Sequence, residues 1–132
     1  MKKQEKERLE EKTVVAAESV VQRLHRLAAV GRLATEEDLA ELQRMMEAEQ
    51  EEFVEWVEGR LYPNPVAACG EYALRYLQVC MLVRLGFEPY EMINLLGVSP
   101  TNLCNIRRRL LKRLFGMEGT PKAFDRRIRE MD

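Results

Sequence analysis

Between residues 89 and 112 the chain reads PYEMINLLGVSPTNLCNIRRRLLK, and glycine and proline set where its helices begin and end. Pro89 suits the first turn of a helix, where a missing N–H costs little. Gly97 permits the left-handed backbone that a tight turn between helices needs. Ser99 is a typical N-cap, and Pro100 is tolerated directly after it. The segment therefore predicts a short helix, a tight turn and a second helix.

The second helix, from about residue 99 to 115, has one apolar face and one polar face. At about 100° per residue, the apolar side carries Leu103, Ile106, Leu110 and Leu114, which should pack on the preceding helices. The opposite side carries Thr101, Asn105, Arg108 and Lys112, flanked by Asn102, Arg109 and Cys104. Arg107 projects nearer the packed side, and we expect it to snorkel from the rim.

Short polar side chains come first on the polar face and cations follow, an order typical of a helix that enters the DNA major groove. The first residues of such a helix approach base edges, where an Asn amide serves adenine as acceptor and donor. Later cations contact phosphates, and the helix N-terminus with the Ser99 hydroxyl could hold another. The predicted DNA-binding residues are Ser99, Thr101, Asn102, Cys104, Asn105, Arg108, Arg109 and Lys112. A solvated amphipathic helix is the competing interpretation of each feature taken alone.

Charge is unevenly distributed along the chain, although the net charge is only −1. Residues 1–60 carry a net charge of −5 and residues 61–132 a net charge of +4. Residues 99–129 contain nine basic and two acidic side chains. A basic segment beside an acidic one is consistent with a polyanion-binding module, and equally with a solvated helix face.

Two longer helices are predicted upstream. The first spans about residues 3–30, with a heptad-like seam of Val14, Ala17, Val21, Leu24 and Ala28. Thr35, followed by three acidic residues, caps a second helix that runs to about residue 60. We expect an antiparallel hairpin whose apolar stripe exceeds what it can bury alone. It should pack on another copy, giving a homodimer, or on the C-terminal part of the chain.

The segment Tyr62-Pro63-Asn64-Pro65 breaks the helical pattern and marks the predicted domain boundary. It separates a coiled-coil-like hairpin, residues 1–61, from a helix-turn-helix domain of winged-helix-like type, residues 66–132. That domain should also contain a helix over about residues 66–85 and a last short helix opening at Thr120-Pro121. No strand pattern is visible, and the predicted fold class is all-α.

Other classes of protein find little support in the sequence. No apolar run approaches the roughly 20 residues that cross a bilayer. The three cysteines, Cys69, Cys80 and Cys104, form no CxxC pair and indicate reduced thiols in a cytoplasm. The single histidine, His25, is far from every cysteine, so we expect no metal and interpret it as a surface histidine. No phosphate loop or nucleophile elbow is present, and we predict a non-enzyme without a cofactor.

These motifs carry a family resemblance. Leu96-Gly97-Val98-Ser99-Pro100, with Leu103 and Asn105, resembles the helix-turn-helix of LuxR-type regulators and the fourth region of sigma factors. Trp56, Tyr62-Pro63-Asn64, Cys80, Leu82, Arg84-Leu85-Gly86 and the arginine-rich helix extend the likeness over about residues 52–128, to the C-terminal segment of a bacterial helix-turn-helix family. Members of that family often have a coiled-coil segment before the motif, and many a repeat domain and a membrane helix upstream. The resemblance implies a bacterial transcription regulator that binds double-stranded DNA.

Two alternatives stay open. The domain could be a protein-interaction module that has lost its DNA contacts, with the acidic hairpin docking on a sigma factor or RNA polymerase. The chain could also be one piece of a larger, membrane-tethered regulator. The first alternative predicts that Arg108, Arg109 and Lys112 pair with glutamates of the hairpin, whereas DNA binding predicts one exposed patch.

Overall fold

The computed structural model describes residues 18–61 and 71–131. All regular secondary structure in these two ranges is helical, which confirms the predicted all-α class. The helices are α1 (Val20–Ala29), α2 (Glu36–Glu49), α3 (Glu51–Leu61), α4 (Glu71–Arg84), α5 (Pro89–Leu96), α6 (Pro100–Phe115) and α7 (Pro121–Glu130). No helix within the described ranges has both the length and the apolar character needed to cross a membrane.

Several helix ends lie where local sequence chemistry places them. The Ser99 Oγ accepts a hydrogen bond from the Asn102 N–H at 3.0 Å and opens α6. At α2, the Thr35 Oγ1 accepts from the Asp38 N–H and the Asp38 carboxylate accepts from the Thr35 N–H, both at 3.0 Å. Gly97, with φ of +64°, turns the chain directly from α5 into α6.

Two predicted helices differ from the structure. The first begins only at Val20, where the Ser19 Oγ accepts from the Gln22 N–H at 3.1 Å, so a continuous helix over residues 3–30 is wrong at residues 18–19. The second is divided at Gln50, whose φ of −136° and ψ of 52° are not helical. This break lets α2 pack on α1 and α4 while α3 packs on α4 and α6. The two halves of the predicted helix therefore have different packing partners on either side of Gln50.

One core draws on both sides of the predicted domain boundary. Helix α1 contacts α5, and α3 contacts α4 and α6. The apolar stripes of the N-terminal helices are thus covered by the C-terminal ones, the second of the two arrangements expected for them. The largest fully buried side chains include Leu24, Leu42, Met46, Leu61, Phe87, Met92, Leu103 and Phe124. The boundary at residues 62–65 and the predicted start of the third helix lie outside the described residues.

The heptad-like seam is used within the chain as far as the structure describes it. Leu24 and Ala28 are 0% and 1% exposed, so neither is available to a second copy, and Val21 is half-buried against the same core. Val14 and Ala17 lie outside the described residues. The homodimer therefore stays a prediction, and these two seam positions lend it no support.

Polar contacts hold α1 and the loop after it against α5. The Ala34 N–H donates to the Leu95 carbonyl at 2.9 Å, and the Asn94 amide donates to the Ala28 carbonyl at 3.0 Å. The interpretation of His25 as a surface histidine holds in part, because 40% of its side chain is exposed and the rest is packed. Its ring is stacked on Phe87 at 3.8 Å, and its Nδ1 lies 2.5 Å from Oε2 of the buried Glu91. Helix α1 and the loop after it therefore hold α5, the helix that precedes α6, in place.

Candidate nucleic-acid interface

The inner face of α6 fixes the orientation of the helix. Leu103, Ile106, Leu110 and Leu114 are buried, as predicted from their spacing, and Leu111 is buried with them. Through them α6 contacts α3, α4, α5 and α7. Because a buried apolar face resists rotation, the opposite side of α6 is presented outward in one orientation.

The predicted DNA-binding residues share this opposite side of α6, which we call the outer face. Exposed residues on it are Ser99, Thr101, Asn102, Arg108, Arg109 and Lys112. Cys104 and Asn105 are half-buried. The outer face thus presents a hydroxyl and amide group near its N-terminal end and cations farther along.

The three cations of the outer face have few partners. Arg108 forms no hydrogen bond or ion pair with any residue that the structure describes. The Arg109 Nη1 lies 3.5 Å from the Tyr76 hydroxyl, at the limit of a hydrogen bond. The Lys112 Nζ lies 3.6 Å from Glu118, but the two side chains are 72% and 86% exposed, so solvent weakens this pair. All three cations are therefore able to bind phosphate at little cost in contacts within the chain.

Arg107 does not snorkel from the rim as predicted. It is 4% exposed, and its guanidinium makes a two-pronged contact with the carboxylate of Asp125, which is 7% exposed. The Nε donates to Oδ1 at 3.0 Å. The partner lies 18 residues away on α7, beyond the reach of helical periodicity. The pair joins α6 to α7 and removes Arg107 from the surface.

A groove of about 720 Å³ lies on one flank of the outer face, between α6, α2 and α4. Asn102 and Arg109 line it from α6, Glu36 from α2 and Arg75 from α4. Charges of both signs border this groove. It offers a phosphate less attraction than the outer face itself, because a neighbouring carboxylate opposes the cations.

A second groove, of about 750 Å³, lies on the other flank, between α6, α7 and the start of α5. We call it the α6–α7 groove. Cys104 lines it from α6, and Lys122 and Arg126 line it from α7. Glu88 and Glu130 border it as well. Sequence reasoning missed the two α7 cations, although their spacing of four residues places them on one side of a helix.

Several other cations near the end of α6 are engaged by the protein itself. The Arg60 guanidinium lies 4.0 Å from the centre of the Trp56 ring, and that ring contacts Phe115 at 5.3 Å. The Arg113 Nη2 donates to the Leu61 carbonyl at 3.2 Å. These cations stabilise the junction of α3 and α6. They differ in this from the cations of the outer face, which have few contacts within the chain.

The thiols and the acidic groups suggest no other site in the described part of the chain. Cys80 is fully buried, and burial raises the pKa of its thiol, so it is unreactive in the folded protein. No group of three or more His, Cys, Asp or Glu residues within residues 18–61 and 71–131 could hold a metal ion. Cys69 lies outside the described residues.

The outer face combines hydroxyl and amide groups, which hydrogen-bond base edges, with cations, which bind phosphates. No carboxylate belongs to it. Its chemistry therefore matches a polyanion that also offers hydrogen-bonding groups. No protein-family model, curated protein or solved structure matches this chain.

Proposed function

We propose that this chain binds double-stranded DNA by placing the outer face of α6 in the major groove, and that it regulates transcription. The observation that carries the proposal is the state of Arg108, Arg109 and Lys112. They are exposed on one side of α6, and none pairs with a carboxylate of α1, α2 or α3 among the described residues. Internal pairing would have neutralised the patch and favoured a protein-docking module instead.

The dimensions of α6 also support the proposal. Its 16 residues make a helix about 24 Å long. An α-helix with side chains is about 10–12 Å across, and the major groove is about 12 Å wide. Helix α5, the turn at Gly97 and α6 follow one another in the order of a helix-turn-helix, and in that docking mode we expect Thr101 and Asn105 to approach base edges. In the same docking mode we expect Arg108 and Lys112 to contact phosphates.

Binding to a labelled duplex, followed by fluorescence anisotropy over about 50–200 mM salt, tests the proposal. Each phosphate contact contributes about −0.9 to the slope of log affinity against log salt concentration, so three cations predict a slope at least as steep as about −2.7. Arg108→Ala and Lys112→Ala should each make the slope shallower by about 0.9. Arg44→Ala is the matched control, because Arg44 is an exposed cation of α2 that lines neither groove.

Asn105→Ala separates base reading from phosphate contact. This variant should keep the salt slope and lose base preference, measured by selecting bound sequences from random duplex DNA. Absence of binding at 50 mM salt, or a response independent of salt, would reject DNA binding. Capture of purified RNA polymerase or sigma factor by such a non-binding protein would favour the docking module.

A further inference from the structure

Helix α7 carries four cations, and the structure divides them into two kinds. Arg127 lies 5.2 Å from the Phe115 ring, and its Nη2 lies 3.1 Å from the Met117 sulfur. Arg129 donates to the carbonyls of Val83 and Phe87, at 3.3 and 3.1 Å. Both therefore contact other parts of the chain, although both are exposed and Arg129 also lines the α6–α7 groove.

The other two cations of α7, Lys122 and Arg126, are exposed. Neither makes a hydrogen bond or an ion pair with any described residue. Both line the α6–α7 groove. They are thus surface cations that the fold does not use, placed at the edge of the proposed DNA-binding surface.

Two contacts give the direction of α7 beside α6. A β-carbon at Gly119, two residues before α7, would lie 3.1 Å from the Leu111 side chain, and within α7 Asp125 meets Arg107. The two helices therefore run in opposite directions. The first turn of α7, with Lys122, lies beside the part of α6 that carries Arg108.

Among the residues that line the groove, the carboxylates without an ion-pair partner in the described residues lie toward the end of α7 and the start of α5. Glu130 is the last residue of α7, and Glu88 directly precedes α5. Asp125, nearer the middle, already pairs with Arg107. The half of the groove beside the later part of α6 is therefore its cationic half.

We infer that Lys122 and Arg126 hold the sugar–phosphate backbone of the strand that borders the major groove when α6 is in it. This inference rests on the proposed DNA binding. Packed helices lie about 8–10 Å apart, axis to axis, and α6 alone fills the major groove, so the part of α7 that lines the α6–α7 groove would lie over the wall of the major groove. The two cations are about 6 Å apart along α7, so each can contact a separate phosphate. Pro89 and Pro121 in the same groove offer apolar surface to the deoxyribose.

The test compares wild type with the double variant Lys122→Ala/Arg126→Ala over about 50–200 mM salt. The three cations of the outer face and the two of α7 would together make five phosphate contacts, which predict a slope of about −4.5. Wild-type affinity should therefore fall about 500-fold over this range. Three contacts predict a slope of about −2.7 for the variant, a fall of only about 40-fold. The variant Lys122→Arg/Arg126→Lys should behave as wild type, and so should Arg44→Ala. An unchanged thermal melt shows that the variant is folded, and base preference should not change.

The outcomes separate this inference from the proposed function. If wild type binds duplex with a steep salt slope and the double alanine variant gives the same slope, the inference is overturned and DNA binding stands. If Arg44→Ala makes the slope shallower by about 0.9, half of what the double alanine variant should lose, the contribution is not local to α7 and the inference is again overturned. If wild type binds no duplex at 50 mM salt, the proposed function fails, and the inference fails with it.

Discussion

Removing the carboxylate of Asp125 should destabilise the fold strongly. Asp125→Ala leaves the guanidinium of Arg107, 4% exposed, without its charged partner. Breaking a buried ion pair in this way costs about 3–5 kcal/mol, because the remaining charge is desolvated and unpaired. For a chain of 132 residues this corresponds to a melting temperature lower by about 10–18 °C.

Urea unfolding followed by circular dichroism measures this loss. With a slope m of about 1–3 kcal/mol/M, the midpoint should shift by more than about 1 M while m stays constant. The double variant Arg107→Met/Asp125→Leu is the decisive companion, because it removes both charges and fills a similar volume. It should recover most of the lost stability. A single variant within about 1 kcal/mol of wild type, or a double variant as unstable as the single one, would refute this reasoning.

Three further predictions concern stability and reactivity. Arg84→Met should lower the free energy of unfolding, measured with urea, by about 2–3 kcal/mol, because carbonyls at the end of α7 lose a charged donor. A decrease of less than about 0.5 kcal/mol would contradict this prediction. Partial burial raises the pKa of Asp38, but its capping hydrogen bonds and the Arg23 guanidinium outweigh burial and hold that pKa below the ordinary value. The carboxylate therefore stabilises the fold above about pH 4 and loses this effect as pH falls through the pKa of the folded state. The free energy of unfolding of Asp38→Asn should therefore change less between neutral and acid pH than that of wild type. In a Cys69→Ser variant, iodoacetamide should label Cys104 but not the buried Cys80 until the protein unfolds, as mass spectrometry can show.

Local sequence chemistry was enough to predict much of the helical framework. The caps at Thr35 and Ser99 and the turn at Gly97 depend on residues within about four positions of each other, so they can be predicted from the sequence. The outer face of α6 can be predicted for the same reason, because helical periodicity alone separates Asn105 and Arg108 from the buried leucines.

Contacts between residues far apart in the sequence could not be predicted from it. Nothing in the spacing of the chain pairs Arg107 with a residue 18 positions away, or His25 with Glu91, 66 positions away. The break at Gln50 likewise separates two helices with different packing partners, which the sequence pattern did not predict.

The sequence by itself therefore determined the helical class, the helix ends around α6 and the residues of the outer face. Only the tertiary structure showed that the N-terminal helices bury their apolar stripe against the C-terminal ones. Only it placed Lys122 and Arg126 beside α6, because α7 lies there through the buried contact of Asp125 with Arg107. Local rules act over one or two helical turns, whereas helix packing brings together side chains whose separation along the chain carries no periodic signal.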